Sequence, residues 1–441
     1  MKIIHSSEFD SYWKNGGISV ADEKVSLAVR EIIAAVRKEG DAAVRRYASR
    51  FDKSSPGAFQ VSADQIKAGY RQLREGEPAL AVALETSADH IERFAQLQKA
   101  QFADFEYEMA PGLITGQRVI PVQRAAVYVP AGRFPLISSV LMGVIPARVA
   151  GVEEAVVASP PLEAGLPDWR ILAAAHLAGA NRVFAIGGAQ AIAALALGTE
   201  TVPRVDVIVG PGNKYVAAAK QLLFGEVGID FIAGPTDVLI ITDSPGGSEG
   251  IPEAADLMAA DMLAQAEHDS DARARALVPC RVMADQVARQ LEARLARLPT
   301  ASTAKASLDA GGLIIIYDSP EAAIRIADTI APEHLELHVK DTGFWVPKLK
   351  NYGSLFIGSL AVEALGDYSA GINHTLPTSG SARFTGGLSV RHFLKALTTL
   401  RCSPGRGWQD ARSAAEQIAE AEGLAAHRES VASREQTKTV P

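Results

Sequence analysis

The chain has 441 residues and a formal net charge of −7 at pH 7, with a sequence pI near 5.8. This acidic balance offers no basic face for phosphate backbones, so we expect no nucleic-acid partner. The composition, 48% hydrophobic and 22% charged, is ordinary for a globular protein. Because single hydrophobic cores stop growing well below this length, we expect two main domains with smaller additions.

Two cysteines are present, Cys280 and Cys402, far apart in the sequence. This argues against a disulfide framework and against a thiolate zinc cluster, and it indicates a reducing cytoplasm. The N-terminal sequence lacks a basic start followed by an apolar core, and the most apolar stretch, residues 171–198, is interrupted by Asn181, Arg182 and glycines. We therefore expect neither export nor membrane insertion.

Residues 1 to about 110 predict a helical N-terminal region. Val29, Ile32, Ile33 and Val36 recur at the spacing that forms one apolar stripe on a helix, and another helix is predicted over residues 79–101.

From about residue 120 the pattern changes, because short β-branched runs alternate with helical runs rich in Ala and Leu. Strands are predicted over 125–129, 155–158, 183–186, 205–209, 238–242, 275–278 and 313–317. Apolar strands that alternate with helices are typical of parallel sheets covered on both faces. The predicted fold class is α/β, with two doubly wound, incomplete Rossmann-like domains over residues 111–236 and 237–380. A C-terminal helical segment completes the chain over residues 381–441.

Two glycine-rich turns follow predicted strands in the first of these domains. Gly210 to Asn213 precedes a helix, and Gly187 to Gln190 is placed in the same way after the preceding strand. Such turns can receive a phosphate at a helix N-terminus. Neither completes the three-glycine dinucleotide motif, so simple tight turns remain an alternative.

Polar side chains follow a helix that is predicted to begin at Pro252. Asp261, Gln265 and His268 stand at i, i+4 and i+7, which puts them on one face. Gln265 and His268 could therefore reach one metal ion. The alternative is an ordinary solvated helix face.

Two later segments add carboxylates and imidazoles. The run GDYSAGINH predicts a loop that exposes Asp367 and His374, or else an ordinary surface loop. Glu422 and His427 lie on a single helix predicted from residue 408 to about 433. A spacing of five separates them by about 140° around the axis, so they cannot easily chelate one ion together, and solvated positions are the alternative.

Glu333 and His334 are an adjacent acid and base. Ser319 is a predicted N-cap with Pro320 at the first helical position, and Pro332 ends that helix, so the pair is expected on a loop. There the two side chains could divide two proton transfers, or they could merely terminate the helix. Structural or solvated roles are the expectation for the remaining histidines, which are His5, His90, His176, His338 and His392.

These segments together carry a family likeness. The strings YVPAG, IGGAQAIAALA, VGPGNKYVAAAK, AGPTDVLIITD, LAQAEHD, APEHLEL, GDYSAGINHTLPT and EGLAAH occur in this order over about residues 20 to 435. In these motifs the chain resembles the histidinol dehydrogenases.

The resemblance implies an NAD-dependent homodimeric enzyme with one zinc ion per subunit. Such an enzyme oxidises histidinol to histidine by two hydride transfers through an aldehyde, and its C-terminal segment reaches into the partner's site. By matching motif, the implied zinc ligands are Gln265, His268, Asp367 and His427, and the catalytic pair is Glu333 and His334. The implied substrate contacts are Thr236, Gln265, His268, His334, Asp367, His374, Glu422 and His427. The implied cofactor contacts are Tyr128, Gln190 and Asn213.

Some positions depart from the sequence pattern of the histidine-biosynthetic members of this family. The segment Ala131 to Pro135 and the stretch ARFTGGLSVRHF resemble relatives that oxidise other alcohols, including sulfopropanediol dehydrogenase, and Thr236-Asp237 replaces the commoner Ser-Glu. Arg133 could bind an anionic substrate group, lie near the cofactor phosphates, or face solvent. Oxidation of another small polar or anionic alcohol such as 3-sulfopropanediol is therefore an alternative. Metal-dependent hydrolysis is another, and a non-catalytic relative ranks last.

Overall fold

A computed structural model describes residues 1–13, 23–52, 54, 57–131, 135–243 and 250–435. The chain forms two compact units, one made of Met1–Leu97 and Val122–Phe393 and the other of Gln98–Pro121 and Leu394–Pro441. The strands are β1 (Lys2–His5), β2 (Phe105–Ala110), β3 (Leu113–Pro121), β4 (Arg124–Tyr128), β5 (Glu154–Ser159), β6 (Arg182–Ala185), β7 (Val207–Val209), β8 (Gly228–Ile229), β9 (Asp237–Thr242), β10 (Arg273–Val278), β11 (Leu313–Ile316), β12 (His334–His338), β13 (Ser354–Ile357) and β14 (Leu394–Cys402). The helices are α1 (Phe9–Trp13), α2 (Glu23–Glu39), α3 (Asp41–Phe51), α4 (Ala63–Gly76), α5 (Pro78–Lys99), α6 (Ile137–Ala150), α7 (Trp169–Ala178), α8 (Gly188–Leu197), α9 (Lys214–Leu223), α10 (Ile251–Ala266), α11 (Arg281–Leu295), α12 (Ala301–Gly311), α13 (Pro320–Ile330), α14 (Thr342–Trp345), α15 (Glu363–Tyr368), α16 (Arg406–Ala421) and α17 (Ala425–Ala432).

The first sheet of the larger unit is parallel and has the strand order β6-β5-β4-β7-β8. Helices α2, α3, α8 and α9 cover one face in a continuous apolar cluster. Because β5 and β6 lie to one side of β4 and β7 to the other, the strand order reverses between β4 and β7. In open α/β sheets, a reversal of this kind leaves a crevice at the carboxyl ends of the strands.

The second sheet is also parallel, in the order β1-β11-β10-β9-β12-β13. Helices α10, α11 and α12 pack on one face, and α13 packs on the other with Phe9 and Trp345. Helices on both faces of the second sheet, and alternating strands and helices in both, confirm the predicted α/β class. The division predicted at residues 110, 236 and 380 stays a prediction.

The structure differs from the expectations in three elements. The N-terminal region is not wholly helical, because it contains β1 and β2. The C-terminal segment, predicted to be helical, contains the strand β14. The single helix predicted from residue 408 to about 433 is wrong, since Gly423 has a left-handed φ of 74° and separates α16 from α17.

The smaller unit contains an antiparallel sheet in the order β14-β3-β2, together with α16 and α17. Phe105, Tyr107 and Leu400 are exposed on its outer strands. Across the part of the chain that the structure describes, no helix is both long enough and apolar enough to cross a membrane.

Candidate active site

The pair Glu333 and His334 lies where β12 begins. Helix α13 starts as predicted, with the Ser319 hydroxyl as its N-cap, and ends at Ala331, which has a left-handed φ of 49° before Pro332. Glu333 lies on the loop that was expected for the pair, but the loop is wrong for His334, which begins β12; both residues are buried, at 6% and 3% exposed. The reason is that β12 is an inner strand of a sheet whose faces are covered by α10 and α13.

Residues at the start of β9 hold Glu333 in place. The Thr236 hydroxyl lies 2.5 Å from Glu333 Oε2, and Asp237 Oδ1 accepts a hydrogen bond of 2.9 Å from the Glu333 amide. Asp237 Oδ2 pairs with the buried Arg275 guanidinium at 3.0 Å. Both the backbone and the carboxylate of Glu333 are thus fixed. Asp237 was not expected among the site residues.

Gln265 reaches the same edge of the sheet from α10. This helix connects the parallel strands β9 and β10, so its C-terminal end returns to the edge where both strands begin. Gln265 is fully buried, with its amide 2.6 Å from Thr236 Oγ1. In the orientation that satisfies its neighbours, the amide oxygen accepts from Asp237 N and the nitrogen donates to Glu363. A solvated face is therefore wrong for Gln265, whereas His268, just past the helix end, is exposed.

Asp367 lies on the short helix α15 and not on the predicted loop, and its side chain is only 13% exposed. Its ligand atom, together with those of His268 and Glu363, forms a group in which all atoms are within 4.8 Å of one another. The sequence prediction missed Glu363. Its spacing of four residues from Asp367, which places both carboxylates on one face of a helix, was the available signal.

The His334 ring is surrounded by acceptors. Nδ1 lies 3.3 Å from the backbone oxygen of Asp237, and Nε2 lies 3.7 Å from Asp367 Oδ1. Nε2 is buried and makes no hydrogen bond. When Nδ1 carries the proton and donates to Asp237, Nε2 keeps a free lone pair.

Burial and charge shift the pKa values of these groups. Burial raises the pKa of Glu333 to about 7, and His334 and Thr236 offset part of this effect. Burial alone would lower the pKa of His334, but the nearby carboxylates, with Glu363 first, hold it well above its usual value. Burial also opposes the charged form of Asp367, yet the interaction with His334 keeps the pKa of Asp367 below its usual range.

His374 connects this site to the helix α6. Its Nδ1 lies 3.0 Å from the backbone oxygen of Asp367, and its Nε2 lies 3.0 Å from Ser139 Oγ. Burial lowers the pKa of His374, which favours the neutral imidazole. The segment that carries it is irregular, as predicted, but the ring is partly buried and not exposed.

The three residues expected to contact the cofactor lie at the carboxyl edge of the first sheet. Tyr128 ends β4, and its hydroxyl accepts a hydrogen bond of 3.0 Å from Gly188 N. Gln190 is buried in the first turn of α8. Asn213 is exposed and caps α9 with its side chain. Two of the turns that converge here carry the glycines predicted to receive phosphate.

Gly210 brings the turn after β7 close to the end of β4. It has a left-handed φ of 110°, and a Cβ at this position would collide with the Tyr128 carbonyl oxygen. Its amide donates to Asp230 Oδ2 at 2.8 Å, and its carbonyl accepts from the buried Lys220 ammonium at 3.0 Å. The turn is therefore held in place at the point where the strand order reverses.

Glu422 and His427 belong to the smaller unit, at the C-cap of α16 and on α17, and both are exposed. The predicted role of Arg133 falls outside the described residues.

The donor set in the larger unit suits a divalent metal. One imidazole and two carboxylates are ligands that zinc accepts, and three such atoms with an accessible side leave room for further ligands. His334 Nε2 lies 3.7 Å from Asp367 Oδ1, close to these donors. It is buried and makes no hydrogen bond, so it also lacks a partner at this site.

Comparisons with known proteins identify the family of the chain. A family model described as histidinol dehydrogenase matches residues 18–435. A histidinol dehydrogenase from Methylococcus capsulatus is 42% identical over 409 residues, covering 92% of this chain and 91% of that protein. One from Thermus thermophilus is 44% identical over 430 residues, covering 97% and 99%. The crystal structure of a histidinol dehydrogenase from Elizabethkingia anophelis matches with a TM-score of 0.89 at 34% identity, covering 98% of this chain and 97% of the other. The chain therefore belongs to the histidinol dehydrogenase family.

Proposed function

We propose that this protein oxidises L-histidinol to L-histidine by two successive hydride transfers to NAD, through an aldehyde, in a zinc-dependent site. The observation that carries the proposal is the convergence of an acid–base pair, Glu333 and His334, with the donors His268 and Asp367 at one edge of the second sheet. The membership of the chain in this family supports the choice of substrate.

The zinc site is proposed to comprise Gln265, His268, Asp367 and His427. The proximity of Glu363 to His268 and Asp367 supports its assignment as an additional acidic neighbour of the ion. Zinc, when bound, polarises and orients the substrate without changing its own redox state.

His334 is proposed as the base for the alcohol. In its neutral form, with Nδ1 oriented by the Asp237 carbonyl, the ring has a free Nε2 lone pair that can accept a hydroxyl proton, although the surrounding carboxylates raise its pKa and so favour the protonated form. Glu333 is proposed to activate water on the aldehyde. Its pKa of about 7, raised by burial, lets the carboxyl take up and release a proton near neutral pH.

Further residues are proposed to contact the substrate and the cofactor. Thr236 and His374 are proposed to contact the substrate, together with Glu422 and His427. Tyr128, Gln190 and Asn213 are proposed to contact NAD. The crevice at the strand reversal, with turns formed by Gly187-Gly188 and Gly210, supports this location for the cofactor.

The protein is proposed to be a homodimer in which the C-terminal segment completes the partner's site. Exposed apolar side chains on the smaller unit, including Phe105, Tyr107 and Leu400, support a surface that a second copy covers. A cytoplasmic location remains part of the proposal.

The direct test is a substrate panel in which NADH formation is followed with L-histidinol, L-histidinal and 3-sulfopropanediol. We expect two NADH per histidinol and one per histidinal. Turnover of 3-sulfopropanediol without turnover of histidinol would reject the proposed substrate and retain the oxidoreductase chemistry. Binding of metal without binding of NAD in calorimetry would reject both.

A further inference from the structure

The strand β12 carries ionisable side chains along one buried face. Leu335 and Leu337 pack in the apolar cluster beneath α13. The alternating residues His334, Glu336 and His338 therefore face α10 on the other side of the sheet. His334 belongs to the candidate active site, whereas Glu336 and His338 have no role there.

These two side chains are buried and only partly satisfied. The side chains of Glu336 and His338 are 0% and 6% exposed. Glu336 Oε1 accepts a hydrogen bond of 2.9 Å from the Glu363 amide. Glu336 Oε2 and His338 Nε2 lie 3.4 Å apart, and each lacks a hydrogen-bond partner. Buried polar atoms without partners are rare in proteins, so this pair requires an explanation.

Asp261 on α10 brings a third ligand atom to the pair. The ligand atoms of Asp261, Glu336 and His338 all lie within 4.8 Å of one another. Asp261 is partly exposed, so the cluster has one side open to solvent. The group is separate from the donors His268 and Asp367, although α10 carries Asp261 and, one turn later, Gln265.

The cluster is rich in negative charge. The positive charge of Arg294 lowers the pKa of Asp261 in part. However, the Arg294 guanidinium donates hydrogen bonds to both carboxylate oxygens of Asp256, at 2.8 and 2.7 Å. Burial and then the charge of Glu336 raise the pKa of Asp261 to about 7. Two adjacent carboxylates, of which that of Glu336 is fully buried, are stabilised by a proton or a cation between them.

We propose that Asp261, Glu336 and His338 form a second divalent cation site, for a transition ion such as zinc or manganese. Two carboxylates and a neutral imidazole match the ligand preferences of these ions, and the open side at Asp261 admits water as a further ligand. The ion would join α10 to β12, the elements that carry Gln265 and the Glu333–His334 pair. Its role is therefore structural support of the active site.

The test is the number of zinc or manganese ions per chain, measured by mass spectrometry after saturation with each metal and gel filtration. We expect about two ions in the wild type and about one in His338→Ala and Glu336→Gln. Glu336→Gln keeps the acceptor for the Glu363 amide, so it guards against loss of the fold in His338→Ala. His176→Ala, which removes an exposed histidine from α7, is the matched control and should keep about two ions.

Equal numbers of ions in the wild type and in both variants would overturn the proposal and leave a proton shared by the carboxylates. Loss of an ion in the His176→Ala control would also overturn the proposal, because the loss would then not be specific to the cluster. Failure to oxidise histidinol changes none of these counts, so failure of the proposed function is distinguished from failure of the second site.

Discussion

At the scale of single residues, His334 and His427 have separable proposed roles. His334→Ala removes the base but none of the proposed zinc ligands, so turnover should fall by about 10²- to 10⁴-fold while zinc content stays unchanged. His427→Ala removes a proposed ligand and should lower the zinc content as well. Steady-state rates and metal analysis of both variants check this, and the opposite pattern would reverse the two assignments.

Glu333→Gln separates the two half-reactions. The amide cannot accept a proton, so oxidation of histidinal should slow more than the first oxidation of histidinol. In the unmodified protein, the rate with histidinal should rise through about pH 7, where Glu333 loses its proton. Stopped-flow traces of NADH at several pH values measure both effects. Equal slowing of both steps would contradict the assigned role.

Asp52 predicts a pH effect on stability near the cofactor crevice. Burial raises the pKa of Asp52 to about 6, although hydrogen bonds from Gly187 and Gln190 lower it in part. Because the folded protein holds this proton more tightly than the unfolded chain, the associated stabilisation is complete below the unfolded pKa of 3.8 and is lost as pH rises through about 6.

Asp52→Asn should therefore raise the free energy of unfolding above pH 6, by about 1 kcal/mol after allowance for the solvent access of this carboxyl, and change little near pH 4. Urea unfolding at both pH values measures the difference. Asp271→Asn, at an exposed aspartate, is the control. A gain that is the same at both pH values would argue against the titration of Asp52.

Single residues also mark the limit of the sequence prediction. Motif order identified Glu333, His334, Gln265 and Asp367 before any contact was known, because their identities carry chemistry. Asp237 was not identified, since its role is a hydrogen bond to the Glu333 backbone that exists only when β9 and β12 are neighbours. Pairing between strands that are distant in sequence cannot be deduced from local periodicity.

At the scale of elements, the close packing of α6 on β4 requires Gly143. A Cβ at this position would collide with the side chain of Val127. Gly143→Ala should therefore lower the free energy of unfolding by about 1–3 kcal/mol. Gly76→Ala, at the end of α4, where a Cβ meets nothing, is the matched control and should be close to neutral. Chemical denaturation measures both, and equal stability of the two variants would contradict the packing argument.

The strands that were predicted correctly from the sequence are apolar runs in the two parallel sheets, such as β5 and β9. Those it missed have other patterns. The strand β12 alternates leucines with ionisable residues although both of its faces are buried, which is the pattern of a half-exposed strand. The outer strands β2 and β14 are exposed along most of their length, although β2 alternates apolar residues with glutamates.

At the scale of the whole molecule, the proposed dimer predicts complementation between two inactive variants. Co-expression of His334→Ala with His427→Ala should produce mixed dimers in which one of the two sites has both histidines. With random pairing, activity should recover to about one quarter of the wild-type value. Steady-state assays of the mixed preparation, with each variant alone as control, measure the recovery. No recovery with mixed dimers demonstrably present would show that each chain uses its own C-terminal segment.

The strand β1 has a consequence for biosynthesis. It contains the first residues of the chain, yet its partner β11 is made roughly 300 residues later, as the contact between Ser6 and Asp318 also indicates. During translation, at ~5–20 residues per second, the N-terminus must wait many seconds for its neighbour to emerge from the ribosome. Until then β1 has no partner strand in its own chain, so its pairing in the second sheet must be a late step of folding.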